Sequence, residues 1–318
     1  MNADGRAGAS QPSERPALLW VALGASLWGT DTVIRQPLTA ALTSGRIVLI
    51  EHLILTALLA IPLWTMRAQW LVLTRRQWAA LLGVAWGGSA LGTVCFTEAI
   101  RIGNPTTAAL LQKTQPLFAA LLAWLLLHEH LGKNFWVCLS IAMCGAYLVS
   151  FGLQAPGAVR EPRAALLAIS AAALWGGSTA LGRFALERLS FFAMTALRIV
   201  LATPLLVAVN GASTPPRALH SKDVVSLVLL ALIPGLLALL VYYRGLRHAR
   251  ASRAAVAELS FSATAALLNW VFLGTRVSLI QIGGFALLWG SILSLNRRGA
   301  NELNYAKREH DRCLGIPQ

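Results

Sequence analysis

Ten apolar runs, each about 20 residues long, constrain this chain more than any other feature of its sequence. An α-helix rises about 1.5 Å per residue, so about 20 apolar residues cross the roughly 30 Å hydrocarbon core of a bilayer. Short polar segments separate the runs and leave little chain for a soluble domain. We therefore predict an all-α integral membrane protein with ten transmembrane helices, spans 1 to 10, at 17–36, 47–66, 77–99, 104–127, 132–152, 163–185, 189–210, 222–243, 251–273 and 277–296.

The charge content supports a membrane protein and excludes a nucleic-acid-binding one. Only 13% of the 318 residues are charged, whereas soluble domains have about 25%. The net charge of +14 comes from Lys and Arg in short loops and near the C-terminus, with no separate basic module. We therefore expect the lipid bilayer and a small-molecule substrate as partners, no nucleic acid, and a monomer.

Lys and Arg are distributed unevenly between the two sides of the membrane. Ten spans place both termini on one side, and that side carries 17 of these residues against 8 on the opposite side. Cytoplasmic loops carry the excess of Lys and Arg, so we predict cytoplasmic termini and a multi-pass protein of a bacterial inner membrane. The first 16 residues have no apolar core, and we expect no cleavable signal peptide.

Motifs for catalysis, metals or cofactors are not found in the sequence. The four cysteines form no CxxC pair, and neither a Walker loop nor a GxGxxG motif occurs. His128-Glu129-His130 lacks the HExxH spacing, so we predict that Glu129 caps a loop or bonds a neighbouring helix rather than a metal. We expect no enzyme activity, no catalytic residue, no metal and no cofactor.

The second half of the chain repeats the first. Three matches occur in the same order at offsets of 146–152 residues: Ala25–Gly29 with Ala172–Gly176, Arg46–Leu49 with Arg198–Leu201, and Ala119–Leu127 with Ala265–Leu273. Because each half holds five spans, an odd number, the two halves must insert with opposite topology. Inverted repeats that form a site near the bilayer midplane are typical of secondary transporters.

Several short motifs resemble one known family. They are Leu-Trp-Gly in the middle of spans 1 and 6, Asn104-Pro105, the segment 108–113, Gln115-Pro116-Leu117, Leu127-His128-Glu129 and Gly145. Together they resemble the EamA-type branch of the drug/metabolite transporter (DMT) superfamily over about residues 17–296. The resemblance implies ten helices in two inverted five-helix repeats, a central cavity, and export or exchange of metabolites.

On this basis the chain divides into two EamA-like repeats, 17–152 and 163–296. A periplasmic linker, 153–162, connects them, and polar cytoplasmic tails, 1–16 and 297–318, flank them. The second repeat departs from the family pattern at two positions. Ser262 stands where a proline would match Pro116, and Thr275 stands where an acid would match Glu129.

Ionisable residues inside the spans are candidates for function, because a charge in hydrocarbon costs several kcal/mol unless it faces a cavity or a partner. The predicted orientation places four of them in the outer half of the membrane and two in the inner half. The outer residues are Asp31, Glu51, Glu98 and Lys113, and the inner residues are Arg198 and Glu258.

Lys113 is the strongest substrate candidate among these residues. It lies about nine residues into span 4 between Gln112 and Gln115, so three polar side chains occur among Leu and Ala. Lys113 either holds an anionic group of the substrate or pairs with Glu98 or Glu51. The alternative is a structural ion pair that fixes spans 3 and 4.

Glu51 and the adjacent His52 are candidates for proton coupling, because burial and a titratable neighbour favour protonation near neutral pH. Successive helical residues point about 100° apart, so we expect only one of the two to face a cavity. A salt bridge from Glu51 to Arg46 or Lys113 is the favoured alternative. For Asp31 we expect a structural pair with Arg35 near the outer surface.

Aromatic residues in the middle of the spans suggest a substrate cavity. Trp28 and Trp175 lie near mid-span, and Trp86 and Tyr242 are also available. An aromatic cavity suits apolar or cationic solutes, and tight helix packing is the alternative role. We predict a secondary transporter that exports or exchanges small metabolites, such as amino acids, or amphipathic compounds. The alternatives are an uptake carrier, a lipid flippase and a membrane sensor.

Overall fold

Helices account for every regular element in the part of the chain that the structure describes. The structure, a computed structural model, describes residues 14–103, 105–153, 161–210, 220–273 and 278–313. The continuous helices among the spans are Ser44–Thr65 for span 2, Lys133–Phe151 for span 5, Pro162–Ala185 for span 6, Phe191–Asn210 for span 7 and Leu279–Cys313 for span 10.

The other five spans contain a break or a change of helix type. Span 1 is Glu14–Trp28 and Asp31–Leu38, span 4 is Pro105–Gln112 and Gln115–Leu127, and span 9 is Ala251–Glu258 and Phe261–Leu273. Spans 3 and 8 each contain a π-helical segment between two α-helices. Span 3 is Arg75–Leu82, Gly83–Gly92 and Thr93–Ile102, and span 8 is Ser221–Leu230, Ala231–Leu237 and Ala238–Leu246.

Nine helical stretches of the described chain are long and apolar enough to cross a membrane. They correspond to spans 1–8 and span 10, so nine of the ten predicted spans are confirmed as stretches of this kind. Span 9 is present as two helices but is not among the nine. Its first helix carries Ser252, Arg253 and Glu258, which lowers its apolar character.

The helix of span 10 is longer than the span itself. Its apolar stretch, Leu279–Arg297, ends where span 10 was predicted to end, and the helix continues through the predicted polar tail as far as Cys313. A charged helical extension of this kind carries Asn, Glu, Lys and Arg, which are compatible with helical geometry. Residues 1–13, 154–160 and 314–318 of the predicted tails and linker lie outside the described residues.

Glycines bring the two repeats into close contact at equivalent positions. A Cβ at Gly29 in span 1 would lie 2.7 Å from the carbonyl oxygen of Phe261 in span 9. A Cβ at Gly176 in span 6 would lie 2.7 Å from the carbonyl oxygen of Gln115 in span 4. Both pairs are related by offsets of 146–147 residues, so the same packing occurs twice.

Spans 3 and 8 occupy equivalent places in the two repeats, and both begin with a capping box. Span 3 begins at Arg75 after a capping box in which Thr74 and Gln77 exchange hydrogen bonds. Span 8 begins at Ser221, and a capping box again precedes it, with Asp223 accepting from the backbone N–H of His220 at 3.0 Å. Capping boxes satisfy backbone donors that the first turn of a helix leaves free.

Spans 5 and 10 pack against each other through a pair of glycines. A Cβ at Gly284 would lie 2.7 Å from the backbone nitrogen of Val149, and one at Gly145 would lie 2.7 Å from that of Leu288. Small residues of this kind let transmembrane helices approach closely. A Cβ at Gly283, the neighbour of Gly284, would meet no atom of the described residues within 4 Å.

The adjacent glycines Gly283 and Gly284 give a matched test of the packing between spans 5 and 10. We expect Gly284→Ala to destabilise the protein by about 1–3 kcal/mol, because the added methyl group meets backbone atoms that cannot move aside. Gly283→Ala is expected to be neutral or to stabilise by about 0.5–1 kcal/mol, because alanine favours a helix and no atom obstructs it. Thermal unfolding in detergent measures both variants, and equal melting temperatures would contradict the packing.

Candidate functional site

A cavity of about 140 Å³ lies between the two halves of the chain. Residues from spans 1–4 and from spans 6–9 line it, so both halves contribute. Spans 1, 4 and 9, which are broken at residues 29–30, 113–114 and 259–260, supply part of its wall. Discontinuous helices at a repeat interface are a feature of transporter binding sites.

Two tryptophans line the cavity and are held in equivalent ways. The indole N–H of Trp28 donates to the carbonyl oxygen of Pro234 at 3.1 Å, and that of Trp175 donates to the carbonyl oxygen of Gly88 at 2.9 Å. Both carbonyls belong to the π-helical segments of spans 8 and 3. Each repeat therefore anchors its tryptophan on the π-helix of the other repeat.

Each tryptophan also contacts a second aromatic ring. The ring centroids of Trp28 and Tyr242 are 4.9 Å apart, and those of Trp175 and Phe96 are 5.1 Å apart. Such tilted pairs stabilise by about 0.5–1.5 kcal/mol beyond area burial. Because all four residues line the cavity, they offer flat apolar surfaces to a solute.

One charged cluster in the cavity combines two carboxylates with one guanidinium. Arg35 donates to both oxygens of Asp31, at 2.7 and 2.6 Å, and to Glu51 at 3.2 Å. The predicted pair of Asp31 and Arg35 is thus confirmed. Arg35 is only 2% exposed, because the helix after the break in span 1 directs it inward.

The same cluster corrects the predictions for Glu51 and His52. Glu51 pairs with Arg35 rather than with Arg46 or Lys113. Both Glu51 and His52 line the cavity, so the expectation that only one would do so is wrong. A cavity that extends around the helix reaches side chains about 100° apart. His52 Nδ1 lies 2.9 Å from the carbonyl oxygen of Val48.

Glu258 forms a second cluster in which its partners are neutral. Tyr242 and Thr179 donate their hydroxyl groups to one carboxylate oxygen at 2.7 and 2.9 Å. The side-chain amide of Gln115 donates to the other oxygen at 2.5 Å and accepts from Gln112 at 3.2 Å. Glu258 is 4% exposed, and these bonds connect spans 4, 6, 8 and 9.

Arg198 is the second guanidinium of the cavity. It donates to the hydroxyl of Ser89 and, at 2.8 Å, to the hydroxyl of Tyr243. It forms no ion pair within the described residues. Arg198 and Glu258 line one cavity, together with Asp31 and Glu51, although the predicted orientation placed these two pairs in opposite halves of the membrane.

Comparisons with known proteins agree with this architecture. The model of the EamA-like transporter family matches residues 15–151 and 162–297. The chain belongs to the EamA-like transporter family. It is therefore a multi-pass membrane protein of a transporter family, with the two repeats that the sequence motifs indicated.

The chain also resembles individual known proteins. It is 29% identical over 289 residues to the riboflavin transporter ImpX of Fusobacterium nucleatum subsp. nucleatum, covering 88% of this chain and 97% of that protein. A crystal structure superposes with a TM-score of 0.72 at 18% identity, covering 89% of this chain and 98% of the other. At this identity, the similarity to the crystal structure supports the fold alone.

Three predicted site residues of this EamA-like protein lie outside the cavity lining. Lys113 lies in the break of span 4, where its amine donates to Ser262 at 2.6 Å and sits 4.7 Å from the ring centroid of Phe261. It pairs with neither Glu98 nor Glu51, so the predicted ion pairs are wrong. The turn that interrupts the helix directs Lys113 across to span 9 instead.

Glu98 and Trp86 also differ from their predicted places. Glu98 pairs with Arg101 at 2.5 Å and accepts from Ser44 at 2.9 Å, near the end of span 3. Trp86 is 45% exposed on the outside of the helices and donates to the carbonyl oxygen of Leu201 at 3.0 Å. It therefore does not contribute to the cavity lining.

Glu129 performs the capping role that the sequence predicted. Its carboxylate accepts from the backbone N–H of Ala251 at 2.7 Å and from that of Ser252 at 3.1 Å, and also from the Ser252 hydroxyl. These donors open the first helix of span 9, so Glu129 of the first repeat fixes the start of a helix in the second. A carboxylate suits the N-terminus of a helix. No metal-binding group of His, Cys, Asp or Glu occurs in the part of the chain described.

Small polar residues of the cavity were missed by sequence reasoning. Ser89, Ser178 and Thr179 lie in apolar spans and bond or neighbour the buried charges. Phe96 was also missed, although it lies 146 positions before Tyr242 and takes the equivalent place. The repeat offset was the signal that would have found it.

The Asp31–Arg35–Glu51 cluster predicts a clear order of stabilities. Arg35→Gln leaves two carboxylates together in the protein interior, and removing one partner of a buried charge cluster costs about 3–5 kcal/mol. Glu51→Gln leaves one acid for one guanidinium and is expected to be tolerated. The double variant should recover part of the loss, which thermal unfolding in detergent measures. A double variant no more stable than Arg35→Gln would contradict the charge account.

Proposed function

We propose that this protein is a secondary carrier that moves a small organic solute across a bacterial inner membrane by alternating access. Its ten spans form two inverted five-span repeats, 17–152 and 163–296, with both termini in the cytoplasm. The solute binds in the cavity between spans 1–4 and 6–9. Membership of the EamA-like transporter family supports transport in place of catalysis.

The single observation that carries this proposal is the reciprocal anchoring of Trp28 and Trp175. Equivalent residues of two repeats make equivalent bonds across the interface, as a two-fold axis in the membrane plane requires. The cavity lies at this interface, and buried charges line it. Span 9 completes the second repeat as a broken helix equivalent to span 4, which gives the tenth crossing.

The cavity walls favour an aromatic solute that carries polar groups. The flat rings of Trp28, Trp175 and Phe96 can stack on the aromatic ring of the solute. The side chains of Gln112 and Gln115 can form hydrogen bonds with its polar groups. The relative named as a riboflavin transporter supports the same class. Riboflavin is therefore the first solute to test, beside amino acids and amphipathic compounds.

The cavity must enlarge to accept a solute of flavin size. Its volume of about 140 Å³ is below the roughly 300–1,000 Å³ of drug-sized ligand sites. We infer that the described state is a constricted one and that the halves part on one side to admit the solute. Export or exchange is the direction that we propose.

A proton gradient is the proposed driving force. Asp31 and Glu51 share Arg35, so the cluster has one more carboxylate than it has guanidinium groups. An uncompensated charge in the protein interior is unfavourable, and one proton on either acid would remove it. The cluster lines the cavity, so its protonation would couple directly to solute binding.

Reconstitution in liposomes tests the carrier function. We expect riboflavin or another aromatic solute of a panel to cross, with a rate that rises with a pH gradient and loses that dependence in Glu51→Gln. Trp175→Leu should lower the rate several-fold, because the stacking surface and the indole N–H are both lost. Loading the solute inside or outside the vesicles gives the direction.

Trp86→Leu is the matched control, because Trp86 also donates to a backbone carbonyl but faces away from the cavity. Its rate should equal that of the wild type. Equal losses in the Trp86 and Trp175 variants would contradict the assigned cavity. Flux of no solute in the panel would contradict the proposed substrate class.

A further inference from the structure

Arg198 has one nitrogen that receives no hydrogen-bond partner from the described part of the chain. Its Nε donates to Ser89 and its Nη1 donates to Tyr243, which fixes the guanidinium plane. Within the described residues, Nη2 has no hydrogen-bond partner and Arg198 has no ion pair. The side chain is 8% exposed and lines the cavity, so a solute in the cavity can reach this nitrogen.

Ser178 supplies an unbonded hydroxyl beside that nitrogen. The hydroxyl is buried, lines the cavity and has no hydrogen-bond partner in the part of the chain described. A Cβ at residue 88 would overlap this hydroxyl and would lie 3.4 Å from Nη2 of Arg198. Gly88 therefore lets Ser178 and Arg198 neighbour each other.

Other charges near this pair are already engaged. Arg35 is bound to Asp31 and Glu51, and Glu258 accepts three hydrogen bonds from neutral donors. Glu51 and Glu258 attract Arg198 electrostatically but lie outside ion-pair distance of it. In the cavity, the guanidinium of Arg198 thus has one nitrogen, Nη2, without a hydrogen-bond partner among the described residues.

We propose that Arg198 and Ser178 bind a negatively charged oxygen of the transported solute. A guanidinium can only donate, and the serine hydroxyl can donate beside it, so the pair suits a carboxylate or a phosphate oxygen. The subsite lies beside Trp175, which donates to Gly88, so an aromatic ring and an anionic group can bind together. This inference rests on the proposed function and narrows its substrate class to aromatic anions.

Two matched pairs of solutes test the subsite and separate its two possible oxyanions. Flavin mononucleotide and riboflavin share a ring and differ by a phosphate, and indole-3-acetate and indole-3-acetamide differ by the charge of a carboxyl group. Binding is measured by the thermal stabilisation of the whole protein in detergent. We expect the anion of at least one pair to bind about 10- to 100-fold more tightly than its neutral partner.

Variants then connect this preference to the two residues. Ser178→Ala removes a hydroxyl that bonds no protein atom, so the protein should remain folded while the anion preference falls. Arg198→Gln should abolish the preference. Gly88→Ala should lower it, because its Cβ displaces the Ser178 hydroxyl, whereas Gly87→Ala meets its nearest side-chain atom at an ordinary 3.5 Å and should leave it unchanged.

Arg101→Gln and Ser150→Ala, which alter residues away from the cavity, serve as further controls. A neutral solute that binds as tightly as its anionic partner in both pairs would overturn the subsite and leave the carrier function standing. Failure of both anions to bind would overturn it as well. If Ser178→Ala weakened binding of the anionic and the neutral solute of a pair by the same factor, the effect would be a general one on the cavity. That result would also overturn the subsite.

Discussion

The hydrogen bonds from Trp28 to Pro234 and from Trp175 to Gly88 are the interaction on which the rest of the architecture depends. Inside a bilayer, backbone groups must find partners within the protein, and a π-helix alters the regular ladder that would otherwise occupy them. Each tryptophan satisfies a carbonyl of the opposite repeat. The same bond therefore ties the repeats together and orients an aromatic wall of the cavity.

Buried charge adds chemistry to this frame. Asp31, Arg35 and Glu51 form a cluster with one excess acid, and Glu258 is held by neutral donors. Arg198 has one nitrogen without a hydrogen-bond partner among the described residues. Buried ions are weak evidence for stability, since desolvation offsets much of their attraction. Their concentration around one cavity is better explained by binding and release of charged species.

The sequence predicted the parts of this structure that depend on length, pattern and repetition. Nine of the ten spans, the equivalence of Trp28 and Trp175, and the role of Glu129 follow from apolar runs and matched motifs. It failed for Lys113 and for the pairing of Glu51 with Arg35, because the directions of Lys113 and Arg35 depend on breaks in spans 4 and 1. A break of two residues rotates a side chain by more than periodicity can indicate, so cavity membership needed the three-dimensional structure.

Opposite insertion of two equivalent repeats is the central claim, and site-directed labelling tests it most directly. Arg75 and Ser221 are exposed first residues of equivalent helices, 146 positions apart. With the native cysteines replaced by alanine, Ser221→Cys should react with an impermeant maleimide in intact cells, and Arg75→Cys should react only after the membrane is opened. Labelling of both positions from the same face would contradict the inverted repeat.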